Sequence, residues 1–302
     1  MQFEEIVSGL RFPEGPIAMP NGDIVVVEIE RGTLSRVTPE GKIEVIAETG
    51  GGPNGAAIGP DGRCYVCNNG GFAWHRVGDM LIPGDQPDDY SGGRIEAVSL
   101  DDGAIEVLYT ECDGNPLRGP NDIVFDREGG FYFTDLGKSH GRQMDRGAVF
   151  YAKTDGSLVR EIVFPANTPN GISLSPDETR LYVAETVPGR VFAYHVKEPG
   201  VLERQLPMEE CLAGVSGYQF FDSMTVDADG HVCVATIING GITRISPDGA
   251  TVEHFPTDDP LTTNICFGGE GLRTAYVTLS SSGRLVKSTW PTGGLPLNFL
   301  NV

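Results

Sequence analysis

Six times along the chain, a residue with a side-chain oxygen opens a short apolar strand, and a turn residue follows seven positions later. The openings read PEGPIAMPNGDIVVVE, PNGAAIGPDGRCYVCN, PNDIVFDREGGFYFTD, PNGISLSPDETRLYVAE, FDSMTVDADGHVCVAT and TNICFGGEGLRTAYVT. Glu14, Asn54, Asn121, Asn170, Asp222 and Asn264 are the openers, and Asn21, Asp61, Glu128, Asp177, Asp229 and Gly271 mark the turns. Successive openers are 40, 67, 49, 52 and 42 residues apart. Most units add a second hairpin, with turns at PEGK, DDGA, TDGS and PDGA. Two hairpins per unit make a four-stranded antiparallel sheet, and a repeat of this length is a propeller blade. The spacing therefore predicts an all-β fold, a six-bladed β-propeller, with residues 1–302 forming one domain. A β-sandwich or an open solenoid requires no fixed acceptor at each repeat start.

The sixth unit is short, ending in GGLPLNFLNV, whereas QFEEIV precedes the first opener as a spare strand. This N-terminal strand is expected to complete the last blade and close the ring, leaving no exposed sheet edge. The second unit carries a long insertion, about residues 70–92, rich in aromatics and proline. Insertions of that length are lids or binding loops in some folds and outer-edge excursions in others.

In a propeller the innermost strand of each blade lines the channel, so equivalent positions form a ring. The six openers would then gather carboxylate and amide oxygens with no sulfur and no imidazole, which suits a hard divalent cation. Calcium fits best, although Zn²⁺, Mn²⁺ and Fe²⁺ also accept oxygen donors. The competing explanation is that Asn-Gly and Asp-Gly form turns and merely satisfy the backbone. Against it stands the shared register of all six openers.

Four stretches, FPEGP at 12–16, RGPNDIVFD at 118–126, TPNGISLSPD at 168–177 and FFDSMTVDADG at 220–230, resemble the senescence marker protein / gluconolactonase / luciferin-regenerating enzyme family. There is a more distant likeness to diisopropylfluorophosphatase and the paraoxonases. The resemblance spans essentially the whole chain. It implies a lactonase, with Glu14, Asn170 and Asp222 as metal ligands. Asn121 is implied as a fourth ligand or a substrate contact, and Asp222 as the candidate base or nucleophile. Some members place an arginine two residues before the third opener, where it touches substrate. Here that position is Gly119, and Arg118 lies one residue further away.

The implied reaction is hydrolysis of a sugar lactone or similar small lactone. The metal would polarise the carbonyl and Asp222 would take a proton from the attacking water. With an ordinary carboxyl pKa, Asp222 would be a weak base at neutral pH. The alternatives on the same ring are a phosphotriesterase and a non-catalytic binding propeller. Candidate substrate contacts are Asn121, Asn54, Asn264 and Arg118, together with Trp74 and His75 from the insertion and His140 at the channel mouth.

Other signals carry less. Gly137-Lys138-Ser139-His140-Gly141 matches G-x-S-x-G, but a nucleophile elbow needs a helix after the serine and an all-β unit follows here. Asp227-Ala228-Asp229-Gly230 is a hairpin turn and not an EF-hand start, because position twelve is Ile238. Cys64 and Cys67 stand three apart on a strand, so they point to opposite faces and cannot share a metal. All six cysteines are read as reduced. The N-terminus lacks an apolar stretch, so no signal peptide and a cytoplasmic location are expected. A net charge of −20 repels phosphate backbones and anionic headgroups, which argues against nucleic acid and membrane partners. The chain is read as a monomer or weak dimer.

Overall fold

The computed structural model describes residues 1–203 and 210–301. Among the described residues, six antiparallel sheets of four or five strands form the body of the fold, with three two-stranded hairpins beside them. The first is made of Pro13–Ala18, Ile24–Glu28, Thr33–Val37 and Ile43–Glu48. The second has Pro53–Ile58, Cys64–Asn68, Arg94–Val98 and Ile105–Tyr109, and the third Pro120–Phe125, Gly130–Asp135, Gly147–Lys153 and Val159–Ala166. The fourth starts with Pro169–Leu174, Arg180–Glu185 and Arg190–Glu198, on which Glu210–Gly214 pairs. The fifth runs Phe220–Val226, Val232–Ile237, Gly241–Ile245 and Val252–Pro256. The sixth has Thr262–Gly268, Thr274–Leu279 and Arg284–Thr289, and its outer strand is the N-terminal Glu4–Ser8. The expected closure is therefore observed. The first strands of the six blades contact one another in a closed circuit around the axis.

Period-two alternation explains how the blades stack. Cys64 and Val66 point into a cluster with Val25, Val27 and Leu34 of the first blade. Tyr65 and Cys67, on the other face of the same strand, join Phe131, Phe133 and Phe150 of the third. The pattern repeats around the ring, giving one apolar cluster in each of the six gaps between blades. The two cysteines of C-x-x-C lie in different gaps, and all six cysteines are free thiols.

A feature absent from the repeat pattern lies at the far end of the channel. The C-terminal segment crosses the floor, and Leu297, Asn298 and Leu300 close a cavity of about 70 Å³ walled by Ile17, Ile58, Phe125, Ile172, Met224 and Ile265. Leu295, Phe299 and Leu300 each pack against a different inter-blade cluster. Asn298 donates to the Phe125 carbonyl at 3.1 Å and to Glu178 at 2.8 Å.

The insertion forms a hairpin, Trp74–Val77 paired with Met80–Pro83, and it crosses the mouth. Its Leu81 N–H donates to the Ser281 carbonyl of the sixth blade at 2.9 Å, and its Gln86 N–H to the Ser139 carbonyl of the third at 2.8 Å. Trp74, Phe72 and Leu81 pack with Phe12 and Ile29 of the first blade. The insertion therefore lies over the opener ends of the blades, as a lid would, and not along their outer edges.

Candidate active site

Each opener is the second or third residue of its first strand, and all six are buried. Around each, the regular register with the second strand is interrupted: between Glu14 and Ile17, Pro53 and Ala56, Pro120 and Ile123, Pro169 and Ile172, Phe221 and Met224, and Thr262 and Asn264. Such an irregularity leaves a residue outside the ladder and re-aims its side chain. The residue after the opener must be small where strands crowd the axis. A Cβ on Gly15, at φ +49°, would sit 2.6 Å from the Asn54 carbonyl, and one on Gly171 would sit 2.6 Å from the Asp222 carbonyl.

Hydrogen bonds fix the openers' orientations. Asn264 Nδ2 donates to Glu14 Oε2 at 2.7 Å, and the Gly15 N–H donates to the same oxygen at 2.6 Å. Asn170 Nδ2 donates to Thr186 Oγ1 at 3.0 Å, and its Oδ1 accepts from Ser223 Oγ at 3.3 Å. Asn170 and the Ser223 N–H both support the Asp222 carboxylate. Asn121 Oδ1 is buried and has no hydrogen-bond partner.

A further acid sits beside the ring. Asp122 follows the third opener, where other units have Gly15, Gly55, Gly171 or Ser223. Its carboxylate accepts from the N–H groups of Ile123 at 3.0 Å and Ile172 at 3.2 Å, tying the inner strands of the third and fourth blades. Sequence reasoning missed it. The signal was PND standing where PNG recurs.

The electrostatics follow from burial. Desolvation raises Glu14 well above its usual carboxylate range, and the charges of Asp222 and Asp122 add to the rise. Asp222 is pushed up to about 7, mainly by burial and further by Asp122, against the lowering effect of Asn170. The ordinary carboxyl pKa expected for Asp222 does not hold for the chain alone. Asp122 also rises to about 7 by burial. Among the described residues, no lysine, arginine or histidine is a main influence on these three acids. Among the described residues, no three of His, Cys, Asp and Glu form a metal-ligating cluster. The ring instead combines the carboxylates of Glu14 and Asp222 with amides. Uncompensated buried acids beside an orphaned amide oxygen fit a hard, oxygen-seeking divalent cation.

The remaining sequence candidates are distributed differently. Asn54 is buried in the ring on the second blade. Arg118 ties the third blade to the lid, with Nε on Asp145 at 2.9 Å and Nη2 on Gln86 at 3.2 Å. His140 lies 3.7 Å from the same Asp145. Trp74 packs against Phe12 with the rings tilted at 54° and centroids 5.1 Å apart, and His75 is exposed on the lid hairpin. Lys138, unremarked in sequence beyond G-x-S-x-G, is buried. Its Nζ donates to Asn69 Oδ1 at 3.0 Å and the Gly71 carbonyl at 2.6 Å, and lies 3.7 Å from the Phe72 ring centroid.

Six blades surround a channel whose mouth is lined with oxygen donors and spanned by an insertion, and together they define a β-propeller. Residues 12–281 match the SMP-30/Gluconolactonase/LRE-like region, and the chain belongs to that family. It is 27% identical over 307 residues to a gluconolactonase of Zymomonas mobilis, an alignment covering 92% of this chain and 78% of that protein. It is 27% identical over 225 residues to lactonase drp35 of Staphylococcus aureus, covering 73% of this chain and 62% of that protein. The solved structure of regucalcin from Agrobacterium tumefaciens, described as a calcium-binding protein, superposes with a TM-score of 0.78. That likeness has 17% identity, covers 100% of this chain and 98% of the other, and bears on the fold alone.

Proposed function

We propose that this chain is a metal-dependent lactone hydrolase acting at the channel mouth. The observation that carries the reading is the orphaned, buried Asn121 Oδ1 beside three buried acids with no cationic side chain. Glu14, Asn121, Asn170 and Asp222 would hold one divalent cation, with calcium favoured by an all-oxygen donor set. When bound, such an ion supplies Lewis acidity toward a carbonyl oxygen. The gluconolactonase and lactonase relatives support a lactone as the substrate class.

The chain's own groups supply the rest. Asp222, oriented by Asn170, accepts a proton from the water that adds to the lactone carbonyl. The ring C–O bond then breaks, the proton held by Asp222 passes to the leaving alkoxide oxygen, and the product is a hydroxy acid. Glu14 is held in place by Asn264 and the Gly15 N–H and contributes charge without moving a proton. The lid narrows the mouth and limits the water that reaches it.

The test is metal analysis of the purified protein followed by pH-stat assays on a lactone panel, with and without chelator. We expect about one divalent ion per chain and hydrolysis that chelator abolishes and added metal restores. Hydrolysis of every lactone at the uncatalysed rate by metal-loaded protein would overturn the assignment.

A further inference from the structure

Among the described residues, the lid's hydrogen bonds to other blades go to the third and sixth and its apolar packing to Phe12, Ile29 and Leu261, and the side chains at the mouth end of the fourth and fifth blades have an unusual character. Three segments at the mouth end of the fourth and fifth blades border Asn170 and Asp222: residues 186–189, 215–220 and 237–240. They are joined to one another. The Val215 N–H donates to the Gly189 carbonyl at 3.3 Å, and Phe220 is in register with Ile237. Thr186, next to Val187, is the partner of Asn170, and Phe220 stands two residues before Asp222. The crescent is thus continuous with the ring.

None of these segments holds a charged residue, in a chain that is 21% charged. Polar side chains in them are turned to internal partners: Gln219 to the Ser216 carbonyl at 2.5 Å, Asn239 to His254 at 3.2 Å, and Thr186 to Asn170. Ser216 and Asn239 are exposed, and the large side chains that face solvent beside them are apolar. Val187 is 55% exposed, Tyr218 77% and Ile238 46%, and the Tyr218 ring meets Phe220 edge-on at 5.1 Å. Ile238 has a φ of +79°, an outlier for a β-branched residue. Strain of that kind persists where the surroundings impose it, here through the Ile238 N–H bonded to the Pro260 carbonyl at 2.7 Å. Its side chain gains no burial in return. On the lid side the opposite holds. Arg118 and Lys138 are committed to Asp145, Gln86, Asn69 and Gly71, and His140 lies 3.7 Å from Asp145.

We propose that Val187, Tyr218, Phe220 and Ile238 form a subsite for an apolar substituent, so that alkyl- or aryl-substituted lactones are preferred over polyhydroxylated ones. This inference rests on the lactonase reading. Hydroxyl groups laid against such a surface lose water without gaining partners, whereas methylenes gain from the contact.

The test measures kcat/KM of the metal-loaded protein on γ-butyrolactone, γ-hexalactone, γ-octalactone, γ-decalactone and δ-gluconolactone. Each added methylene is expected to raise kcat/KM about two- to fourfold, with the longest chain well ahead of gluconolactone. Tyr218→Ser and Ile238→Gly should flatten that dependence on chain length. Ile238→Gly should also melt at or above the wild-type temperature, because glycine accepts the positive φ. Hydrolysis that does not vary with chain length, faster turnover of gluconolactone than of decalactone, or a dependence that survives both substitutions overturns the subsite and leaves the lactonase reading standing. If no lactone is hydrolysed, the lactonase reading falls and the subsite falls with it.

Discussion

The two ends of the channel are built from the same six strands and differ in almost every physical respect. At the mouth, the strands begin with carboxylates and amides, the ladders break around them, and buried acids stand without a cationic neighbour. At the floor, the same strands carry Ile17, Ile58, Phe125, Ile172 and Ile265, and a polar tail residue, Asn298, has both of its acceptors in place. Apolar burial with satisfied polar groups is what makes a fold stable. Uncompensated buried charge does the reverse. The contrast teaches that the ring of openers is carried by the propeller and does not hold it together, while the floor and the six gaps do.

The sharpest way to break that comparison is at the mouth. At saturating metal, Glu14→Gln should recover much of its activity, whereas Asp222→Asn should remain lower in kcat by about 10²–10⁴-fold, the usual worth of a general base. Metal occupancy measured alongside makes the comparison valid. Without metal, both variants should melt no lower than wild type, because burial disfavours the ionised form of either carboxylate and the amide that replaces it carries no charge. A kcat for Asp222→Asn near wild type would make Asp222 a ligand only, and a large loss of stability in either variant would mean the ring is structural after all.

The next largest effect belongs to the floor. Deleting residues 295–302 removes the half-buried Leu295, Leu297, Phe299 and Leu300 and uncovers the channel. At about 1 kcal/mol for each half-buried apolar side chain, the loss of stability should be about 2–4 kcal/mol by denaturant titration. Metal affinity at the mouth should change by less than about tenfold. A collapse of metal binding would show that the two ends are not separable.

The smallest effect is expected from the lid. Trp74→Ala forfeits the ring contacts to Phe12 and Phe72, worth about 0.5–1.5 kcal/mol, so KM or substrate preference should shift by about tenfold or less with metal still stoichiometric. Kinetics unchanged across several lactones would mean that the lid roofs the mouth without touching substrate.

Sequence alone carried the architecture because the propeller is periodic. The spacing from Glu14 to Asn21 recurs from Asn264 to Gly271, and the closing strand was legible as a surplus at one end against a deficit at the other. Asp122 was hidden because it stands one residue outside the opener register, where its carboxylate looks like a variant of a turn glycine. The floor was hidden for another reason. LPLNFL has neither a helical nor a strand period, so nothing local says that Leu295, Phe299 and Leu300 belong to three different gaps. Arg118 shows the limit of position without partners. Its place near the third opener was legible, but its engagement with Asp145 and Gln86 depends on a loop and an insertion that no repeat specifies.

The bond between Leu81 and Ser281 sets an order on how the molecule can be made. A ribosome releases the lid hairpin two hundred residues before its anchor on the sixth blade exists. At ~5–20 residues per second, that interval is on the order of 10–40 s. The strand Glu4–Ser8 waits still longer, for Arg284–Thr289. Until the sixth blade is made, therefore, the hairpin lacks one of its anchors and the N-terminal strand its partner, and no nascent fragment has a finished mouth.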